Sequence, residues 1–176
     1  SLKGFGQFRS NYTPTYAETI EWYERISLDH PSFAKLETIG KTDAGKPLHY
    51  LVIDPKGNFS PKAAFQNDQT VVLIMNGIHP GEACGINASI MFALQKASEP
   101  TGDAVYVIIP VYNVGGALNR NSNTRANQNG PQEYGFRGNA RNLDLNRDFI
   151  KADSENTFAF SRLFHLWNPH IFIDTH

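Results

Sequence analysis

The chain has 176 residues, is 40% hydrophobic and carries 16 basic against 17 acidic side chains, a formal net charge of −1. That is enough apolar material for one sizeable core. Scattered Lys and Arg offer no basic face to nucleic acid or an anionic membrane, and no apolar run approaches the ~20 residues of a membrane span. The single cysteine, Cys84, excludes an intrachain disulfide. It reads as a small buried hydrophobe rather than a further metal ligand. No signal-peptide pattern opens the chain at Ser1-Leu2-Lys3, which reads as a processed or engineered end.

Residues 1–12 read as irregular and aromatic, with Phe5, Phe8 and Tyr12. Thr13-Pro14-Thr15 then opens a helix, since proline suits a first turn and Thr15 with Glu18 makes a capping box. This helix is expected to reach about Leu28, burying Ile20, Tyr23 and Ile26, and to stop at Asp29-His30-Pro31. His30 reads as a surface turn residue. Phe33–Ile39 and Pro47–Ile53 read as strands around a glycine-containing turn, a hairpin at a sheet edge, with His49 structural. Residues 54–69 read as a polar loop with two prolines.

Thr70–Met75 is a continuous apolar run, as in a strand buried on both faces. Asn76-Gly77 breaks it, and Ala83–Ala97 reads as a helix. Ala104–Ile109 is another buried strand, closed by Pro110. Val111–Arg141 is a long tract heavy in Asn, Gly and Arg. Such tracts are functional or disordered, and a functional role is favoured here because the tract feeds into a motif. Ser154–Trp167 reads as a helix with Phe158, Phe160, Leu163, Phe164 and Leu166 on or near its buried side. His165 reads as packed or surface. His170–Ile173 reads as a further buried strand. The alternation predicts an α/β sandwich with a mixed, mainly parallel sheet between helices, in one domain without repeats or linkers.

Chemistry concentrates at three places. His79-Pro80-Gly81-Glu82 places an imidazole and a carboxylate three residues apart at a strand-to-helix turn. That turn is at the carboxyl end of a strand, where open α/β sheets build their sites. Both side chains are zinc ligands, and a catalytic zinc needs a third protein ligand plus an open position. Alone, the pair is a weak metal signal and reads more readily as a helix N-terminus carrying a favourable acid. His176, after Asp174-Thr175, is the third candidate, because two parallel strands would bring both sets to one edge of the sheet. Alone, it is an ordinary strand-end polar residue. Between them stands Asn142-Leu143-Asp144-Leu145-Asn146-Arg147-Asp148-Phe149.

Together, His-x-x-Glu, Asp-x-Asn-Arg and a His after a strand resemble the zinc carboxypeptidase family, whose best-known member is pancreatic carboxypeptidase A, a His₂Glu zinc enzyme. The resemblance runs from about Tyr16 to the last residue and points to a short bacterial-type member. It implies one zinc ion held by His79, Glu82 and His176, with a zinc-activated water. Asp144 matches the acid that orients the first histidine, against a bland role in capping a local turn. Asn146 and Arg147 match the pair that grips the free C-terminal carboxylate of a peptide; a surface contact between Arg147 and Asp148 is the rival reading. Arg137, nine residues before Asn146, matches the spacing of the oxyanion-stabilising arginine in short bacterial members, with Arg141 as its rival.

The chain departs from the family pattern in three ways. The resemblance places the family's general-base glutamate on a later strand and its substrate-covering tyrosine on a later loop, and neither has a counterpart within these residues. Residues 1–176 are therefore expected to be the N-terminal portion of a single catalytic domain. Digestive members carry an arginine where Gly81 stands. Asp148 follows Arg147 where relatives often have Asn. The implied activity is a metallocarboxypeptidase that removes C-terminal residues from peptides, bacterial cell-wall peptides among them, in an extracytoplasmic setting such as the periplasm. A zinc amidohydrolase of N-acyl amino acids and a non-catalytic zinc or peptide-binding module are the two rivals. No nucleic-acid partner and no membrane insertion are expected.

Overall fold

A computed structural model describes residues 11–176, and the aromatic opening around Phe5 and Phe8 lies outside them. Helix α1 (Tyr16–Asp29) begins at the predicted capping box. Thr15 Oγ1 accepts from the Glu18 backbone N–H, and the Glu18 carboxylate accepts from Thr15 N–H at 2.7 Å. Ile20, Tyr23 and Ile26 are buried, as the pattern predicts. Strands β1 (Ala34–Lys41) and β2 (Pro47–Ile53) form the expected hairpin, with β1 at the sheet edge. His49 meets the Tyr16 hydroxyl at 3.3 Å.

Residues 54–69 are not a loop throughout. Helix α2 (Pro61–Gln66) forms there because Ser60 caps it and Pro61 pre-sets its first turn. Asp54 gathers the preceding turn by accepting from Lys56 N–H, Asn58 N–H and Gln69 Nε2.

The rest alternates as predicted, β3 (Val71–Met75), α3 (Cys84–Ser98), β4 (Val105–Ile109), α5 (Glu155–Trp167) and β5 (Ile171–Asp174), except that a short helix α4 (Val114–Leu118), capped by Asn113, forms inside the tract read as irregular. The five strands lie in the order β1-β2-β4-β3-β5. β1–β2 and β2–β4 are antiparallel, whereas β4–β3 and β3–β5 are parallel, so the sheet is mixed and its parallel half carries the site. The period of two sorts β3 between two cores. Val71, Leu73 and Met75 face Phe160, Leu163 and Trp167 of α5, while Val72 and Ile74 face Ile90, Ala93 and Leu94 of α3 and Tyr23 of α1.

Three expectations are corrected. β5 is not buried: Ile171, Phe172 and Ile173 are 48%, 41% and 42% exposed, because β5 is the outer strand of the sheet. Cys84 is exposed. The buried stripe of α3 runs through Ile86, Ile90, Ala93 and Ala97, whereas Cys84 sits with Ala88, Met91 and Gln95 on the opposite face. On α5, Phe158 and Leu166 are half-exposed, while Ala159, Phe160, Leu163 and Trp167 form the covered stripe.

The sheet places the site. Val72–Met75 of β3 pair in register with Ile171–Asp174 of β5, so both strands end together. The pairing continues past the strands: Thr175 N–H donates to Met75 O at 3.0 Å and Ile78 N–H to His176 O at 3.1 Å. The first turn of α3 presses onto this junction. A Cβ on Gly85 would lie 2.2 Å from Thr175 Oγ1 and 2.6 Å from its Cβ, so only glycine fits. Gly85→Ala is therefore expected to cost about 1–3 kcal/mol of stability through overpacking. Urea melts check this, and a midpoint equal to wild type would show that the junction yields.

Candidate metal centre

His79 follows β3 in the turn that leads to α3. Its side chain is fully buried, with Glu82 and His176 partly exposed beside it. One donor atom from each of the three lies within 4.8 Å of the other two. The His79 and His176 rings meet edge to face at 4.7 Å between centroids. His79 Nδ1 is 3.5 Å from Glu82 Oε1. Among the described residues this is the one such His, Cys, Asp and Glu cluster brought together.

The surrounding groups decide which atoms are free. Asp144 caps the 3₁₀ turn Leu145–Arg147 and accepts from Asn146 N–H, and its Oδ1 also lies 2.9 Å from His79 Nε2. With Nε2 donating to this carboxylate, Nδ1 keeps its lone pair toward Glu82. Capping and histidine contact are thus made by the same side chain. Asp174 plays the matching part for His176, with Oδ2 at 3.2 Å from Nδ1, while Asn146 Nδ2 lies 3.4 Å from its Nε2.

Two arginines face this cluster. Arg137 donates from Nε and Nη2 to Asp144 Oδ2, at 3.2 and 3.0 Å, and holds Nη1 3.3 Å from His79 Nδ1. Arg125 donates from Nη2 to Glu82 Oε1 at 2.7 Å. Arg141 is turned away, toward Asp153 O and Asp43. Arg147 is exposed, donates to Asn146 O at 2.9 Å and pairs with no carboxylate among the described residues. The alternative Arg147–Asp148 contact is not made. Asp148 is buried and accepts from Asp153 N–H, Ser154 N–H, Ser154 Oγ and Thr157 Oγ1 instead.

Charge follows from these contacts. Burial pushes the Glu82 carboxyl up, but the bond from Arg125 and its charge, with the two histidines, bring it below the usual carboxylate range. Burial likewise raises Asp144, and His79, Asn146 N–H and Arg137 outweigh it, so it too lies low. Both acids are thus ionised at neutral pH. A zinc ion fits this donor set: two imidazoles and a carboxylate converge, each histidine has its second nitrogen beside a carboxylate, and the free Nδ1 of His79 already faces a cation, the Arg137 guanidinium.

A sequence profile of the zinc carboxypeptidase family matches residues 19–169. The chain belongs to the zinc carboxypeptidase family. Comparison with curated protein sequences returns no significant match. Among solved structures, the chain is similar to a metallo-carboxypeptidase from Burkholderia cenocepacia, at 17% identity and a TM-score of 0.68, covering 92% of this chain and 40% of that one. It is similar to a metallo-carboxypeptidase from Pseudomonas aeruginosa, solved with (2-guanidinoethylmercapto)succinic acid, at 16% identity and a TM-score of 0.64, covering 92% of this chain and 39% of that one. It is also similar to bovine thrombin-activatable fibrinolysis inhibitor, solved with tick carboxypeptidase inhibitor, at 14% identity and a TM-score of 0.64, covering 93% and 60%. The carboxypeptidase fold is therefore shared, and the chain spans about 40% of the length of the bacterial structures it matches. Among the described residues no helix is long and apolar enough to cross a membrane.

Of the site candidates named in the sequence, His79, Glu82, Asp144, Asn146, Arg137 and His176 meet at this edge, whereas Arg147 touches, among the described residues, only the Asn146 carbonyl and Arg141 is turned away. Two residues that surround the centre were not singled out for a role, Asp174 and Arg125. Asp174 had a readable signal, an acid two residues before a candidate ligand. Arg125 had none, because loop closure across 43 positions brings it to Glu82.

The low-lying acids give a pH prediction. A carboxyl depressed in the folded state contributes stability that is complete above its ordinary value of about 4 and is lost as pH falls through the lower folded value. In metal-free protein, Asp144→Asn should shrink the loss of stability between pH 6 and pH 3. Denaturant melts at the two pH values check this, and an unchanged difference would mean that Asp144 contributes nothing.

Proposed function

We propose that the chain is the N-terminal portion of a single zinc carboxypeptidase-like catalytic domain, and that this domain hydrolyses C-terminal residues of peptides. The observation that carries this reading is the convergence of His79, Glu82 and His176 inside a family of zinc carboxypeptidases. Coverage of about 40% of the matched bacterial structures and the apolar outer strand β5 support the assignment to part of a larger domain.

In this reading His79, Glu82 and His176 hold one zinc ion, which would lower the pKa of a bound water to about 7 and polarise a carbonyl. Asp144 fixes the tautomer of His79 and strengthens it as a donor. Arg137 is the catalytic cation: Nε and Nη2 are anchored on Asp144, and Nη1 remains for charge that develops on the scissile oxygen. Asn146 and Arg147 bind the terminal carboxylate of the peptide. A guanidinium that pairs with no acid among the described residues can fork onto a carboxylate, and the neighbouring amide adds donors. Asp148 holds this pair from behind by fastening the motif to the first turn of α5.

Two measurements test the proposal. His79→Ala and Glu82→Ala should each lose the zinc that the native protein retains after dialysis, read by metal analysis; full occupancy in either variant overturns the ligand assignment. Arg147→Ala should raise KM for peptides with a free C-terminal carboxylate about tenfold or more while sparing C-terminally amidated ones, as expected when a charged hydrogen bond is lost. An equal loss on both substrate sets overturns the carboxylate clamp. N-acyl amino acids in the same panel separate peptide hydrolysis from amidohydrolysis.

A further inference from the structure

We propose that Asn76 is a positioning residue for the third metal ligand. Through the hydroxyl of Thr175, its buried amide fixes where the chain leaves β5, and so where His176 presents its ring to the centre. The proposal rests on the zinc reading above.

The amide is a hub for four elements. Asn76 directly follows β3 and is fully buried. Its Nδ2 donates to Ile109 O of β4 at 2.8 Å, and its backbone N–H reaches the same carbonyl at 3.3 Å. Its Oδ1 accepts from Ser89 Oγ of α3 and from Thr175 Oγ1 just past β5, each at 2.7 Å. Both lone pairs of that oxygen are therefore taken, and turning the amide over would set Oδ1 against the Ile109 carbonyl. Thr175 is held on its other sides too. Its N–H donates to Met75 O at 3.0 Å, its Oγ1 lies 3.3 Å from that carbonyl, and Gly85 of α3 leaves no gap beside it.

The next residue is His176. Its φ is +63°, a left-handed conformation that a residue with a side chain keeps only where its surroundings over-determine it. Here its N–H donates to Asp174 Oδ1 at 2.8 Å, its carbonyl accepts from Ile78 N–H at 3.1 Å, and the anchored Thr175 precedes it. A ligand must be held to within about 0.5 Å of its working place. Apolar packing is non-directional, whereas hydrogen bonds fix both distance and angle. Of the two hydroxyls on Oδ1, the one from Thr175 directs this control at His176, and the one from Ser89 ties the same amide back to α3. Asn76, which ends its own strand, thus sets the geometry of the ligand at the end of the neighbouring one.

The test compares wild type with Thr175→Val, Thr175→Ser, Asn76→Leu and Ser89→Ala. Zinc affinity is measured by competition with a chromogenic chelator. In metal-free protein, amide hydrogen exchange at Ile78, whose N–H is held by His176 O, reports the backbone of the ligand when taken relative to the Leu73 amide in the core. Thr175→Val keeps the shape against Gly85 and removes the hydroxyl. It should weaken zinc binding about tenfold, the lower end of what groups behind a ligand contribute, and speed exchange at Ile78. Thr175→Ser keeps the hydroxyl and should stay near wild type in both. Ser89→Ala removes the other bond to the same oxygen and should lower the urea midpoint while leaving zinc affinity near wild type. Asn76→Leu should match Thr175→Val in zinc affinity, and the double variant should lose no more than either, because both remove one bond. If the leucine variant fails to fold, the two Thr175 variants decide alone. Wild-type affinity in Thr175→Val, or an equal loss in Ser89→Ala, overturns the proposal. A wild-type protein that binds no zinc, with Ile78 exchange still faster in Thr175→Val, overturns the ligand reading instead.

Discussion

The site depends on one parallel pairing. β3 and β5 are 100 residues apart in sequence, yet Thr175 N–H bonds to Met75 O and Ile78 N–H to His176 O. These two bonds extend the strand ladder beyond the sheet and lock His176 beside the turn that carries His79 and Glu82. Parallel strands need a crossover to reach one another, and here the crossover contains everything from α3 to α5. The long tract and the Asp-x-Asn-Arg motif are therefore carried to the sheet edge by the same topology that aligns His79, Glu82 and His176.

Around that junction the polar groups form a closed chain of partners. Asp144 joins His79, Arg137 and the backbone of Asn146; Asn146 faces His176; Arg125 and Arg137 both approach Glu82 Oε1, at 2.7 and 4.0 Å. Acids and guanidiniums alternate, so each charge is offset by a neighbour. This allows a fully buried imidazole to sit beside two acids without an unpaired group. Asp148 fastens the motif to the N-terminus of α5, whose other side packs on β3. Asn146 and Arg147 thus rest on the core rather than on a loop.

Much of this was legible in the residues. The capping box at Thr15, the apolar runs of β3 and β4 and the stripe of α1 fix their elements, because each local signal agrees with its tertiary place. His79, Glu82, Asp144, Asn146 and His176 were legible through short spacings within motifs. What was not legible depends on position in the sheet or on long-range closure. The run His170–Ile173 is as apolar as a central strand, and only the strand order makes it an outer one. The helix at Pro61 was hidden in a polar composition that Ser60 and Pro61 overrule locally. Residue type alone points to a buried Cys84, whereas helical phase sets its exposure. Arg125 carries no local pattern at all.

The phase of α3 has a practical side. Cys84 is the chain's one thiol, it is exposed, and it stands two residues after Glu82 in a cleft shared with Asn87, Gln128 and Pro131. A fluorophore attached there would need no engineering of the sequence. It would report from beside the carboxylate on occupancy of the centre and on movement of the loop that carries Arg125.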